Sequence, residues 1–265
     1  MKFDKEYTDY WSSAVNKSVD GTTIAGVREA KHILEYLQLK NVNKALDLGC
    51  SFGRMHEVLD IYSDAIYGVD IDPYAVEKAR LQAYKDVQLG TAEETNFEAD
   101  FFDLVFCWAV FEVVDHKKGL AEINRVLKTG GMLLLTGKND NYSGDDILAY
   151  KAEKNAFLKG FPNRFTDLKA VLESLQFLGF ELNTLLLFPR RGDVGAIDFI
   201  DNGVEKLENY HGYEYLIMCH KIGEHDSDAL VDVVLENQFS KTVTAAANKA
   251  GYDGPKEFFE SVGVN

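Results

Sequence analysis

The chain has 265 residues and carries 28 Lys and Arg against 43 Asp and Glu, which gives a formal net charge of −15. This length suffices for one sizeable hydrophobic core with additions. The acidic balance excludes a broad basic face that binds the nucleic-acid backbone. The three cysteines, Cys50, Cys107 and Cys219, are too few for a disulfide framework or a zinc site, so no metal is expected. The sequence shows neither a signal-peptide pattern nor an apolar segment of membrane length, so we expect a soluble, cytoplasmic protein without membrane contacts.

The N-terminal part leads into a tight turn that the rest of the chain is built around. Residues 1–25 are polar and aromatic and predict an arm or lid, and apolar spacing predicts a helix over 26–39. A strand then ends at Asp47, and residues 47–53 (DLGCSFG) form a Gly-rich turn ahead of a predicted helix at 55–62. Glycines let the backbone approach a ligand closely, and the helix start offers unpaired N–H groups. We therefore expect a small polar ligand here, and the acid at the entrance favours one that carries positive charge.

Strands and helices alternate beyond this turn. The second strand ends at Asp70, and Pro73 sits where it can open the next helix. A glycine C-cap at 129–131 is predicted to separate the second helix of this region from the strand that follows it. The strands are expected at 65–69, 87–89, 102–107 and 132–136, and the helices at 73–84 and 117–127.

The C-terminal half contains two irregular excursions. The first excursion, residues 138–165, is polar and contains one predicted helix, and the second, residues 189–212, is irregular. Between them we expect a helix from Phe165 to about Leu175 and a strand at 181–188. A last strand is expected at 213–220, and residues 225–265 read as a helical tail. The order predicts an α/β fold, doubly wound, with a mostly parallel sheet covered by helices on both faces. We expect one domain over 26–224, flanked by the arm and the tail.

The glycine pattern separates two classes of cofactor. A nicotinamide fingerprint needs a third glycine where this chain has Arg54, so that class is disfavoured. The chain instead resembles class I S-adenosylmethionine-dependent methyltransferases over about residues 30–136. Five blocks carry the resemblance in the family's order: 47–53 (DLGCSFG), 68–73 (GVDIDP), 89–94 (LGTAEE), 102–107 (FDLVFC) and 122–131 (EINRVLKTGG).

The resemblance implies a seven-stranded sheet whose last strand is antiparallel, with S-adenosylmethionine as cofactor. It also implies a role for each matching position. The methionyl part would lie at Asp47, Gly49, Cys50, Ser51 and Gly53, the ribose at Asp70, the adenine at Ile71, Thr91, Ala92 and Glu93, and the opposite side of the cofactor at Cys107 and Trp108. Thr91 replaces an aspartate that is common in the family, and Ser51 replaces a common glycine.

The acceptor side rests on fewer signals. His116, Glu112 and, less strongly, His211 are candidates for a catalytic base, although the first two can equally be polar residues around a helix start. Tyr10 and Trp11 of the arm could close over the substrate or simply anchor the arm. The guanidinium groups of Arg190 and Arg191 would suit a phosphate or carboxylate, or form a solvated loop pair. Arg164 and Tyr142 are further candidates.

We therefore expect a small-molecule methyltransferase that transfers the methyl group to an oxygen atom. Its acceptor would be a sugar, a sugar-nucleotide or a phosphorylated intermediate of polysaccharide (carbohydrate) biosynthesis or secondary metabolism. An N-methyltransferase, a non-catalytic S-adenosylmethionine-binding module and, more distantly, a nicotinamide oxidoreductase are the alternatives. The tail could pack on the sheet edge or form a homodimer.

Overall fold

The computed structural model describes residues 26–193, 199–201, 203–223 and 236–262. The predicted arm, with Tyr10 and Trp11, and residues 224–235 of the tail lie outside these ranges. The helices are α1 Val27–Tyr36, α2 His56–Leu59, α3 Pro73–Ala79, α4 His116–Val126, α5 Ile147–Leu158, α6 Leu168–Phe177, α7 Lys241–Lys249 and α8 Pro255–Ser261. The strands are β1 Val42–Leu48, β2 Ser63–Asp70, β3 Asp86–Leu89, β4 Phe102–Cys107, β5 Leu127–Lys138, β6 Phe165–Thr166, β7 Phe180–Phe188, β8 Glu214–Lys221 and β9 Glu236–Asn237. Short 3-10 helices lie at Phe111–Val113 and Gly203–Asn209.

Seven strands form one sheet in the order β3-β2-β1-β4-β5-β8-β7. The pairs from β3 to β5 are parallel, and β8 runs antiparallel to both β5 and β7. The predicted doubly wound fold with an antiparallel last strand is therefore confirmed. Because β8 is antiparallel, its first residue, Glu214, lies opposite Lys138 at the end of β5, at the edge where the parallel strands also end.

Each face of the sheet carries its own hydrophobic cluster. Residues of α4 and α6 pack on one face with Val105 and Cys107 of β4. Residues of α1 and α2 pack on the other face with Leu104 and Phe106. The strand β4 is buried on both faces over residues 104–107, as its apolar run there predicts.

The glycine C-cap predicted at 129–131 is wrong. The helix α4 ends at Val126, and Leu127 is already extended, so the chain enters β5 directly. The pairing with β4 shifts from Phe102↔Leu127 to Leu104↔Met132. The strand is irregular between these two pairs, where Gly130 has φ 82°. Leu127 and Phe102 are both fully buried. Because they pair with each other, β5 begins at Leu127, ahead of the two glycines.

Several predicted helices are shorter than their apolar spacing suggests. The helix expected at 26–39 spans Val27–Tyr36, and the helix expected at 73–84 ends at Ala79. The helix after the glycine turn is a single turn, α2, and residues 60–62 form turns. Phe165 was predicted as helical but lies in β6, because the Asp167 carboxylate accepts from the backbone N–H groups of Lys169 and Ala170 and so fixes the start of α6.

The described part of the tail packs against the first excursion. Val243 of α7 and Phe259 of α8 join Tyr142, Phe165 and Tyr213 in a third hydrophobic cluster. The two-residue strands β6 and β9 pair antiparallel beside it. The tail thus covers the excursion instead of the edge of the main sheet. Within the described ranges, no helix combines the length and hydrophobicity needed to cross a bilayer.

Candidate active site

The turn after β1 is fixed to the neighbouring strand by its backbone. The N–H groups of Gly49 and Cys50 both donate to Val69 O of β2, at 2.9 and 3.0 Å. Gly49 has φ 77°, and a Cβ there would lie 2.4 Å from a methyl group of Val110, so this position requires glycine. Ser51 also adopts a positive φ, 50°. The turn therefore presents its backbone toward the space beyond the strand ends.

Asp70 closes this space at the end of β2. One carboxylate oxygen accepts from Ser51 N at 2.8 Å and the other from Asp72 N at 2.9 Å. Burial raises the pKa of Asp70, and these hydrogen bonds oppose the rise. A carboxylate has about four lone-pair sites, so Asp70 keeps capacity to accept hydrogen bonds from a ligand. Ile71 follows it and is half-buried.

Asp47 lies beneath the turn and is 3% exposed. Its carboxylate accepts a 2.6 Å hydrogen bond from the hydroxyl of Tyr84. Burial raises the pKa of Asp47 to about 7, and the hydrogen bond and the nearby charge of Arg54 oppose this rise. A ligand with positive charge would favour the ionised form. Tyr84 has no motif around it and was not predicted.

Residues 91–93 line the edge of the same space beyond β3. Thr91 forms an isolated bridge with Glu94, and Ala92 packs on the hydrophobic cluster that contains Cys107. The Glu93 carboxylate accepts from Asp115 N at 2.9 Å. Glu93 therefore also ties this loop to the start of α4.

Cys107 and Trp108 belong to opposite faces of the sheet. Cys107 is 1% exposed in the cluster with α4 and α6, where burial, Glu112 and Asp47 raise the pKa of its thiol. Trp108 packs with α1 on the other face and stacks on Phe106 at 5.6 Å between ring centroids. Cys107 therefore lies between the glycine turn and Glu112, whereas Trp108 supports α1.

The two main base candidates lie in different environments. His116 has no exposed surface, its Nε2 lies 2.9 Å from Phe111 O, and burial lowers its pKa to about 4. This favours a neutral ring held in the core. Glu112 instead faces a polar cluster, where its carboxylate lies 3.3 Å from Lys138 Nζ. His211 is exposed.

We call this group the Lys138 cluster, and its members are Glu112, Lys138, Asn163, Tyr213 and Glu214. Lys138 Nζ donates to Asn163 Oδ1 at 2.8 Å and lies 5.9 Å from the centre of the Tyr213 ring. Burial raises the pKa of Glu214 to about 7, and the charge of Lys138 opposes this. Lys138, Tyr213 and Glu214 were not predicted, because their proximity depends on the register of β5 against β8.

The arginines of the second excursion contact the first excursion. Arg190 is exposed and binds Asp145 through both Nη atoms, at 2.5 and 3.0 Å, which lowers the pKa of Asp145. Arg191 N donates to Asp146 at 2.8 Å, and the charge of Arg191 lowers the pKa of Glu214. The two excursions predicted to form the acceptor site thus meet beside the Lys138 cluster.

Arg164 and Tyr142 have structural contacts. Arg164 donates through its backbone to Glu112 O at 2.8 Å and through its side chain to Val114 O. The Tyr142 hydroxyl donates to buried Glu153 at 2.7 Å. Among the described residues, no group of three or more His, Cys, Asp or Glu is arranged to hold a metal ion.

Comparisons with known proteins agree with this arrangement. Residues 46–135 match the family described as a methyltransferase domain. A trans-aconitate 2-methyltransferase of Rhizobium etli is 31% identical over 113 residues, which is 40% of this chain and 43% of that protein. A ubiquinone biosynthesis O-methyltransferase of Thiobacillus denitrificans is 30% identical over 105 residues, 37% of this chain and 45% of that protein.

Solved structures extend the likeness in fold. An S-adenosylmethionine-dependent methyltransferase of Thermotoga maritima superposes with a TM-score of 0.60 at 20% identity, covering 80% of this chain and 98% of that chain. This likeness concerns the fold alone. The chain spans less than two thirds of the length of the curated relatives it matches, namely 64%, 43% and 43% of three of them.

Proposed function

Since residues 46–135 match the methyltransferase domain family, we propose that the chain is a class I S-adenosylmethionine-dependent methyltransferase that transfers a methyl group to an oxygen atom of a small polar metabolite. When bound, the cofactor supplies an activated methyl group on a positively charged sulfur. The oxygen acceptor is supported by the O-methyltransferase named among the relatives. A sugar, sugar-nucleotide or phosphorylated intermediate is our proposed substrate class, which suits a site with polar groups at its edge.

The position of Asp70 is the observation that carries this proposal. Its carboxylate is oriented by two backbone N–H groups and retains capacity to accept hydrogen bonds from a ribose. This orientation is set before any ligand arrives. Asp70 would therefore hold the ribose, with Ile71, Thr91 and Ala92 along the adenine.

The turn below Asp70 suits the other end of the cofactor. Gly49 and Ser51 bring the backbone close to the ligand space, and buried Asp47 offers a carboxylate to positive charge. We propose that the methionyl part lies here, beside Gly53 and Cys50, with Cys107 at its far side. In this arrangement the protein acts mainly by positioning, which can supply about 7–11 kcal/mol of a barrier.

Replacement of Asp70 tests cofactor binding directly. We expect Asp70→Asn to weaken the affinity for S-adenosylhomocysteine by about 10- to 100-fold, because charge-assisted hydrogen bonds are lost while the side-chain shape is kept. Calorimetric titration of the purified protein measures this. Asp64→Asn is the matched control, because Asp64 is exposed on the same strand and bonds only Asn41 among the described residues. Unchanged affinity in a folded Asp70→Asn variant would contradict the proposed site.

A further inference from the structure

One hydroxyl of the Lys138 cluster is buried and unsatisfied. Tyr213 has no exposed surface, and its hydroxyl has no hydrogen-bond partner among the described residues. Leaving a buried hydroxyl unpaired costs about 1–3 kcal/mol. Lys138 Nζ lies 5.9 Å from the centre of the Tyr213 ring. Burial raises the pKa of Tyr213, whereas the charges of Lys138 and Arg191 lower it. A polar ligand atom at this position would satisfy the hydroxyl.

The carboxylate next to it, Glu214, faces charges of both signs. Lys138 of β5 and Arg191 after β7 lower its pKa, whereas Glu112 after β4 and Asp146 before α5 raise it. Burial is the largest influence and brings the pKa to about 7. Glu214 can therefore both lose and gain a proton near neutral pH.

The cluster lies next to the proposed cofactor site. Cys107 ends β4, and Glu112 lies in the 3-10 helix that follows it. Burial and then the charges of Glu112 and Asp47 raise the pKa of the Cys107 thiol. Lys138 ends β5 and Glu214 begins the antiparallel β8 directly opposite. The cluster is thus on the sheet edge where a methyl acceptor would meet the cofactor.

The charge balance of the cluster favours a neutral acceptor. Its cation, Lys138, is already paired with Glu112 at 3.3 Å and bonded to Asn163 at 2.8 Å. With Asp146 and Arg191 included, the carboxylates of Glu112, Asp146 and Glu214 outnumber the two cations, so an anionic phosphate or carboxylate would meet excess negative charge. A neutral hydroxyl avoids this repulsion but needs a group that takes its proton.

We propose that Glu214 is the general base for a neutral hydroxyl acceptor and that the Tyr213 hydroxyl binds a second polar atom of the same molecule. This inference rests on the proposed methyl transfer and narrows its acceptor class. The acceptor oxygen forms a bond to the methyl carbon, the carbon–sulfur bond breaks with its electron pair staying on sulfur, and the hydroxyl proton passes to Glu214. Lys138, which lies opposite Glu214 in the sheet, acts as a positioning residue whose charge favours the ionised Glu214 carboxylate.

The acceptor class is tested by label transfer from methyl-labelled S-adenosylmethionine. Catechol and methyl glucoside serve as hydroxyl probes, benzoate as the carboxylate probe and aniline as the amine probe. We expect label in a hydroxyl probe, and a rate that rises with pH through about 7 as Glu214 ionises. Glu214→Gln should lower that rate by about 10²- to 10⁴-fold and remove the pH dependence. Its affinity for S-adenosylhomocysteine should stay within about twofold of the wild type. Glu181→Gln, on the exposed face of the neighbouring strand, is the matched control.

Two measurements do not depend on turnover. In protein labelled with carbon-13 at the glutamate carboxyl and loaded with S-adenosylhomocysteine, we expect one signal that titrates near pH 7, is absent from Glu214→Gln and shifts when catechol is added. Tyr213→Phe should weaken binding of the hydroxyl probe by about 5- to 10-fold. It should also leave the thermal unfolding midpoint unchanged or higher, because it removes an unsatisfied group. A purely structural tyrosine would lower the midpoint without affecting probe binding.

The outcomes separate this inference from the proposed function. If S-adenosylhomocysteine binds but neither hydroxyl probe binds or is methylated, the inference is overturned and the cofactor proposal stands. Preferential methylation of benzoate or aniline also overturns it, as does a Glu214→Gln variant with the rate and pH profile of the wild type. Failure of the wild-type protein to bind S-adenosylhomocysteine would overturn the proposed function itself.

Discussion

Burial and a positively charged ligand have opposite effects on the protonation of the Asp47 carboxylate. Burial favours its protonated form, and the pKa rises to about 7, while a positively charged ligand would require the ionised form. The Tyr84 hydroxyl donates a 2.6 Å hydrogen bond to the Asp47 carboxylate and so fixes this side chain. Proton loss from Asp47 is therefore expected to accompany cofactor binding.

This conflict predicts how stability depends on pH. Because the folded pKa of Asp47 is raised above its ordinary value of 3.8, its stabilising contribution is full below about pH 4 and is lost as the pH rises to about 7. We expect the free energy of unfolding of the wild type, relative to Asp47→Asn, to fall by about 1.4 kcal/mol per pH unit between pH 5 and 6 and less steeply from pH 6 to 7. Urea unfolding at several pH values measures it.

The comparison with Asp47→Asn cancels the other titrating groups. His116 and Glu214 also have shifted pKa values, but both variants retain them. Asp64→Asn, with its exposed side chain, should follow the wild-type curve throughout. Parallel curves for the wild type and Asp47→Asn would show that the buried carboxyl does not titrate in this range.

The sequence predicted the carboxylates at the strand ends better than the chemistry around them. Asp47 and Asp70 each follow an apolar strand, and this placement is local information. The role of Tyr84 could not be predicted locally, since its hydrogen bond to Asp47 depends on how the chain between β2 and β3 packs. His116 was predicted as a base, yet Leu120 and Ile123 lie four and seven residues later on the buried face of α4, and that spacing indicates a core position.

At the level of single elements, the direction of β8 determines which residues meet. Its antiparallel course places Glu214 at the active-site edge and Lys221 at the opposite edge. Lys221 is 3% exposed, and its amine donates to Asn124 O at 2.8 Å and Leu127 O at 2.9 Å. The apolar pattern of the sequence predicted this strand. It did not predict the register that places Glu214 opposite Lys138 and Lys221 beside Asn124 and Leu127.

Lys221 is predicted to support the junction of α4 and β5. We expect Lys221→Met to lower the free energy of unfolding by about 2–4 kcal/mol, because two buried carbonyl groups lose their charged donor. Affinity for S-adenosylhomocysteine should change less than twofold, since the site is at the other edge of the sheet. Denaturant unfolding and calorimetric titration measure the two effects.

Lys169→Met is the matched control for this prediction. The Lys169 side chain is 75% exposed and pairs only with Glu173, at 3.9 Å, among the described residues. Its replacement should change stability by less than about 0.5 kcal/mol. If Lys221→Met were equally mild, water or a rearranged side chain must satisfy the two carbonyl groups.

At the level of the whole molecule, the family resemblance predicted the main sheet but not the packing of the tail against the first excursion. The blocks between residues 47 and 131 implied a seven-stranded sheet with an antiparallel last strand, because they repeat a known arrangement. The pairing of β6 with β9 joins strands of two residues each, which is too short for a periodic signal. The homodimer through the tail stays a prediction, although the buried faces of Val243 and Phe259 are already used within the chain.

Glu153 of α5 joins three segments that are distant in sequence. Its carboxylate accepts from the Tyr142 hydroxyl at 2.7 Å, and from Ser240 N and Ser240 Oγ at 2.8 Å each. Tyr142 in turn packs against Tyr213, with ring centroids 5.5 Å apart. The tail is thereby connected through Tyr142 to the proposed acceptor side and has no such connection to the glycine turn among these contacts.

This arrangement predicts that loosening the tail affects one half of the active site. Glu153→Ala should destabilise the protein by about 3 kcal/mol, since it leaves several buried donors unpaired. We expect hydrogen exchange in α5 and α7 to become at least about tenfold faster while β1 and β2 keep their protection. Affinity for S-adenosylhomocysteine should hold within about twofold, and binding of the hydroxyl probe should weaken several-fold. Glu260→Ala, on the exposed face of α8, should change none of these. Equal acceleration of exchange throughout the chain would instead mean that the tail and the sheet unfold as one cooperative unit, because a local opening leaves the sheet protected.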